Sequence, residues 1–166
     1  NIDSGNHEHG GFQPGMLAQK TLSLLQNFRP FSLRITHILS LKLLPNNVST
    51  LAAIISGSTS GFSFRNAGAL IINTNDAVTG VTTNNGAISI TTDAGGIEVA
   101  SSNNISTGGT ADITLNSNAG TLTLNANSRL LSTGIITLTQ DNIVFDTSAQ
   151  VGGSAAGVGA AATTII

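Results

Sequence analysis

The stretch GAISITTDAGGIEV (residues 86–99) returns as ADITLNSNAGTLTL (111–124), and its large apolar residues all move by the same 25 positions. Ile88, Ile90, Ile97 and Val99 become Ile113, Leu115, Leu122 and Leu124, while the polar residues between them drift. A third pair follows at Ile136 and Ile143, seven residues apart where the earlier pairs are nine apart. Ile105 and Leu130 are separated by the same long interval. Leu70 and Ile72 open a less regular earlier unit, with Val78 and Val81 after them.

The repeated words are short alternating triplets: ALIIN at 69–73, AISIT at 87–91, GIEVA at 96–100, DITLN at 112–116, TLTLN at 121–125, IITLT at 135–139 and NIVFD at 142–146. Two apolar residues two apart share one side of a strand. Gly, Asn, Ser and Asp fill the gaps, as tight turns require. Such a unit cannot bury its apolar side alone, so units must stack. The pattern predicts an all-β fold, a parallel β-helix (β-solenoid) of about four coils, each with two short strands. Ile88, Ile113 and Ile136 would form one inward ladder, and Ile97, Leu122 and Ile143 a second. An antiparallel sandwich also uses many short strands, but a register held at one fixed interval across separate units favours coils. A stack of four rungs at about 4.8 Å would be only about 20 Å tall, with sheet edges at both ends that call for caps or further coils.

Residues 1–56 have a different texture and are expected to be a non-repeat N-terminal segment of mixed or irregular structure, either a mobile tail or a cap. They hold four of the six basic residues, all three His and all three Pro. MLAQKTLSLLQNF at 16–28 places Leu17, Leu22, Leu24, Leu25 and Phe28 near one helical face, and Pro30 would end that helix. FSLRITHILSLKL at 31–43 alternates instead and predicts strand. Lys42 before LLPNNVSTLAAIISGSTSG reads as a degenerate export signal, although Pro45, Asn46 and Asn47 interrupt the apolar patch. Residues 57–151 are the repeats. Residues 152–166, rich in Gly and Ala, read as a linker or as a broken further coil ending in Ile165 and Ile166.

Composition removes several function classes. Only 8% of residues are charged and the net charge is −2, against about 25% charged in ordinary globular chains. No basic stripe with interleaved aromatics exists to hold nucleic acid. The absence of cysteine excludes disulfides, thiolate metal sites and Cys nucleophiles. No apolar run reaches the roughly 18 residues of a membrane-spanning helix. The chain opens on Asn1, which leads us to expect a piece of a longer protein or a processed product.

Residues 66–153 resemble the repeat region of large bacterial surface proteins, the filamentous-haemagglutinin-like and autotransporter-passenger-like adhesins. The resemblance lies in the run NNGAISITTDAGGIEVASSNNISTGGTADITLNSNAGTLTLNANSRLLSTGIITLTQDNIVFDTSAQVGG. It implies a right-handed parallel β-helix projecting from the outer membrane. The Asn-Pro-Asn motifs of the secretion domains in two-partner systems are missing, and LPNN at 44–47 is not one. No membrane-barrel segment follows the repeats, so the resemblance implies an interior slice of such a protein.

Candidate chemistry is sparse. His7, Glu8 and His9 offer two imidazoles and a carboxylate, in a spacing unlike the helical zinc-peptidase site; a solvated tail is the simpler reading. GGTADITLN at 108–116 approaches the calcium-binding nonapeptide but lacks its third Gly and places Asp112 one position early. Asp141 and Asp146 flank NIVF, yet one repeat interval earlier stand Asn116 and Thr121, so no acidic column forms. Asp93 likewise aligns with Asn118, and Glu98 with Thr123. A glycosidase needs two carboxylates roughly 5–10 Å apart. No catalytic, metal or cofactor residue is therefore assigned, and no cofactor is expected. Ser89, Thr114 and Thr137 do recur at the outward middle position of successive triplets, and Thr123 in a second triplet. Such a polar face suits weak, repeated contact with glycans or cell surfaces, or keeps a strand soluble.

The expected function is structural and adhesive, as part of a secreted or surface-displayed protein. Its partners would be surface glycans, host or neighbouring cells, and further coils of its parent. The alternative is a carbohydrate-active β-helix enzyme, a polysaccharide lyase or hydrolase. A third reading is a mis-bounded frame in which the segment 1–56 never folds natively.

Overall fold

A computed structural model describes residues 31–35, 39–153 and 163–165. It contains a 14-stranded sheet wound into a β-solenoid. Each turn of the chain has three strands, one on each side of a triangular coil. Side one is built from β2 (Leu39–Asn46), β4 (Phe62–Asn66), β9 (Ile88–Thr92), the first half of β12 (Ile113–Leu124), the first half of β14 (Ile136–Phe145) and β16 (Thr163–Ile165). Side two is built from the start of β3 (Thr50–Ser58), then β5 (Leu70–Ile72), β10 (Ile97–Val99) and the second halves of β12 and β14. Side three takes β1 (Phe31–Ile35), the rest of β3, β8 (Val81–Asn84), β11 (Asn104–Ser106), β13 (Arg129–Leu131) and β15 (Gln150–Val151). Every pairing along these three sides is parallel, which excludes the antiparallel sandwich.

From β4 to β15 the chain completes four turns, the number expected from the repeats. The two predicted ladders are present: Ile88, Ile113 and Ile136 are paired in succession, as are Ile97, Leu122 and Ile143. The expectation of two strands per unit needs correction to three. Ile105 and Leu130 are neighbours in a third ladder, Leu33–Ala53–Val81–Ile105–Leu130–Val151. The interior is a continuous apolar column of Ile, Leu and Val, with Phe62 and Phe64 stacked at 6.0 Å near its N-terminal end. Parallel stacking aligns inward residues one above another, so each coil covers the apolar side of the one before.

The corners are polar inside. Asn66, Thr92 and Ser117 succeed one another in register at the corner between sides one and two, and all three are buried. Asn66 Oδ1 accepts from the Val48 amide at 3.0 Å, and its Nδ2 lies 2.9, 3.0 and 3.2 Å from the carbonyls of Val48, Gly68 and Ala69. Thr92 Oγ1 donates to the Gly95 carbonyl at 2.9 Å. At the corner after side three, Thr83 donates to Gly86 O and Thr107 to Gly109 O. These side chains satisfy turn carbonyls that no strand can reach, which a buried turn requires. Gly86 packs so tightly under the preceding coil that a Cβ there would enter the Ser60 carbonyl and lie 2.7 Å from the Gly61 nitrogen.

The change of texture near residue 56 does not interrupt the fold, because β3 runs across it. The segment that reads as an export signal, 43–61, runs from the end of β2 through β3, where Leu51, Ala52 and Ala53 are fully buried as the strand turns from side two to side three. The strand alternation expected over 31–43 appears as β1 and β2. The expected helix at 16–28 and the His7–His9 group lie outside the described residues. In the tail, Thr163–Ile165 pairs with Ile136–Leu138 and so begins the further coil. One excursion leaves the stack: β6 (Thr74–Asn75) and β7 (Val78–Thr79) form a small antiparallel hairpin between β5 and β8. Asp76 and Ala77 at its tip take positive φ angles of 47° and 59°.

Candidate functional site

The most regular surface lies on the outside of side one. Its inward residues are fixed by the core, so pleating sends every intervening residue outward. Ser63, Ser89, Thr114 and Thr137 therefore occupy one register on four successive rungs. The same register continues to Ser40 below and Thr164 above. Two residues further along each strand stand Arg65, Thr91, Asn116 and Thr139. The result is two parallel polar columns with rungs about 4.8 Å apart. All eight side chains are half-buried by their neighbours. The Ser63 Oγ and Asn116 Oδ1 atoms are shielded and make no hydrogen bond. An ion pair marks one edge: Arg65 Nε donates to Asp93 Oδ1 at 2.7 Å. With the two side chains 44% and 26% exposed, it contributes less than about 1 kcal/mol.

Side two is less uniform. Its outward register reads Thr50, Ile71, Glu98, Thr123 and Val144. A shallow open depression of about 370 Å³ lies over Ile71, Glu98, Thr121 and Thr123. Glu98 Oε1 accepts from Asn125 Nδ2 one coil away at 2.7 Å. On side three, Ile54, Thr82 and Ser106 face outward in one register.

Asp112 and Asp146 bond the scaffold. Asp112 Oδ1 accepts from the Ile135 amide at 2.8 Å and ties two turns together. Asp146 accepts from the Ser148 hydroxyl and amide, at 2.6 and 2.9 Å. Those bonds, the hydroxyl first, hold its carboxyl below the usual carboxylate range. A glycosidase general acid needs the opposite, a raised pKa. Asp141 is exposed on β14. Among the described residues no group of three or more His, Cys, Asp or Glu side chains is gathered to hold a metal ion. No helix among them is long and apolar enough to cross a membrane.

Sequence reasoning located the first column through Ser89, Thr114 and Thr137. It missed the second, although the Thr91–Asn116 spacing was available, because Arg65, Thr91, Asn116 and Thr139 are of three residue types.

The architecture defines a β-solenoid protein with one regular polar side. No protein-family model matches the chain, and neither a curated protein nor a solved structure aligns with it.

Proposed function

We propose that this chain is a non-catalytic, rigid segment of a surface-displayed or secreted bacterial protein that makes multivalent contact through side one. The observation that supports this reading is the pair of polar columns kept in register over four coils. The hydroxyls of Ser89, Thr114 and Thr137 each offer a weak hydrogen bond. A ligand that repeats, such as a surface glycan on a host or neighbouring cell, meets many of them at once, and avidity multiplies the weak contacts. The core fixes the columns before contact, so little ordering entropy opposes binding.

The test is adhesion of beads carrying the purified chain to cells and to a glycan array. Replacing Ser89, Thr114 and Thr137 together by Lys, all half-buried and outward-facing, is expected to lower bead retention by roughly a hundredfold while leaving the far-UV β signal intact. Retention equal to that of the unaltered chain would reject side one as the contact surface. Location is tested separately with an antibody to residues 86–124 on fractionated source cells. Signal in the outer-membrane or medium fraction is expected, and signal confined to the cytosol would reject the surface reading.

A further inference from the structure

The outer face of side one combines three properties. It is regular in both directions: on β4, β9, β12 and β14 the pairs Ser63–Arg65, Ser89–Thr91, Thr114–Asn116 and Thr137–Thr139 follow one another without a slip in register. Rungs lie about 4.8 Å apart, and the two columns, two residues apart along each strand, about 6.7 Å apart. It is nearly free of charge. Of these eight side chains Arg65 alone is ionised, and it stands on the first rung, bonded to Asp93. It is also rigid, because Ile88, Ile90, Ile113, Leu115, Ile136 and Leu138 beneath it are at most 1% exposed. Mobile charged side chains such as Lys and Glu hold hydration water in an irregular shell, and this face carries neither.

We propose that these columns bind the surface of ice. The prism face of hexagonal ice repeats its oxygen atoms along two perpendicular directions, at lengths close to the rung and column spacings of side one. A water molecule held by one hydroxyl therefore stands near a lattice position for the water held by the next. The hydroxyls of Ser89, Thr91, Thr114, Thr137 and Thr139 supply the anchors. Threonine adds precision, because its branched Cβ keeps χ1 stiff and fixes the hydroxyl, while its methyl excludes liquid water from the gap between rungs. Each anchored water is a weak contact, but a face and a crystal that share a repeat make all their contacts together. Arg65 limits the matching patch to the rungs of β9, β12 and β14, which span about 10 Å. Over two rung intervals a small lattice mismatch does not accumulate. A patch of this size adsorbs to ice and slows crystal growth without arresting it. Ice is a different ligand from a glycan, although both would meet the same face, so either reading can fail alone.

Uptake into growing ice is the test. A dilute, stirred solution of the full chain is frozen slowly onto a cold probe, and protein in the ice is compared with protein in the remaining liquid. A protein without affinity is swept ahead of the front. The chain is expected to enter the ice roughly tenfold more than the variant carrying Thr114→Lys and Thr137→Lys, which places two long charged side chains in the middle of the patch. Thr123→Lys, outward on side two, is expected to leave uptake unchanged. Ser89→Thr is expected to raise uptake, a gain that a misfolded variant would not give. Thr114→Ser with Thr137→Ser separates the two ligands. It keeps the hydroxyls that a glycan would meet and removes the methyls, so ice uptake is expected to fall while binding on the glycan array holds. Exclusion of the unaltered chain from ice overturns the proposal, even if the chain binds glycans. So does uptake that ignores the paired Lys substitutions.

Discussion

Gly86→Ala is expected to destabilise the protein strongly. Gly86 is buried where one coil crosses the preceding one, and the added Cβ would overlap the Ser60 carbonyl and crowd the Gly61 nitrogen. Both obstacles are backbone, so no side-chain rotation relieves the overlap and two coils must separate. Overpacking of this kind costs about 3 kcal/mol, which for a chain of this size lowers Tm by roughly 10 °C. Gly68→Ala is the matched control. A Cβ there meets nothing within 4 Å, and Tm is expected to hold or to rise by a few degrees as the unfolded chain loses freedom. Thermal unfolding followed by circular dichroism measures both variants. Equal melting temperatures for the two would mean that the coils are not packed backbone against backbone at this corner.

The second large effect is expected at Asn66. Its amide serves four backbone groups from within the stack, and at a fully buried site solvent does not stand in for it. Asn66→Ala strands the Val48 amide and carbonyl, and each unsatisfied buried group costs about 1–3 kcal/mol. A loss of about 3 kcal/mol is expected by urea denaturation. Asn66→Thr should recover part of it. Thr92 holds the same register one coil on, and its Oγ1 reaches the carbonyl three residues later, as Asn66 Nδ2 reaches Ala69 O. Threonine can keep that bond but cannot reach both polar groups of Val48. If Thr proved no better than Ala, the contacts to Val48 would be the ones that matter, and the corner ladder would be held by Asn66 alone.

These two positions mark the boundary of what the sequence makes legible. Ladders on sides one and two could be read because each coil contributes two large apolar residues there, spaced by two, and the next coil repeats them. Side three contributes one apolar residue in register per coil, Val81, Ile105, Leu130 or Val151, and where a second is present, Leu131, it stands directly beside the first instead of two residues away. A single apolar position does not alternate with anything, so no strand signal arises. The strand β3 was hidden for the opposite reason. Leu51, Ala52 and Ala53 are all inside a bend, and the resulting apolar run mimics an export segment. The polar corners escape notice because Asn66 and Thr92 meet turn backbone groups with different chemistries while Ser117, next in the same register, bonds the Gln140 side chain instead, and register links the three where residue type does not. For side one, alternation fixed which residues face out. What they touch is a property of another molecule.

The hairpin of β6 and β7 has a practical corollary. Between the second and third ladders the chain uses nine residues from Ile72 to Val81, against six from Val99 to Ile105 and from Leu124 to Leu130. Three extra residues have entered at that corner and been expelled sideways, while Ile97 still stacks on Leu70 and Ile105 on Val81. The scaffold thus carries its own record of a tolerated insertion, and the tip at Asp76–Ala77 is the place to graft an epitope, a fluorophore-labelling tag or a recognition loop without retuning the stack.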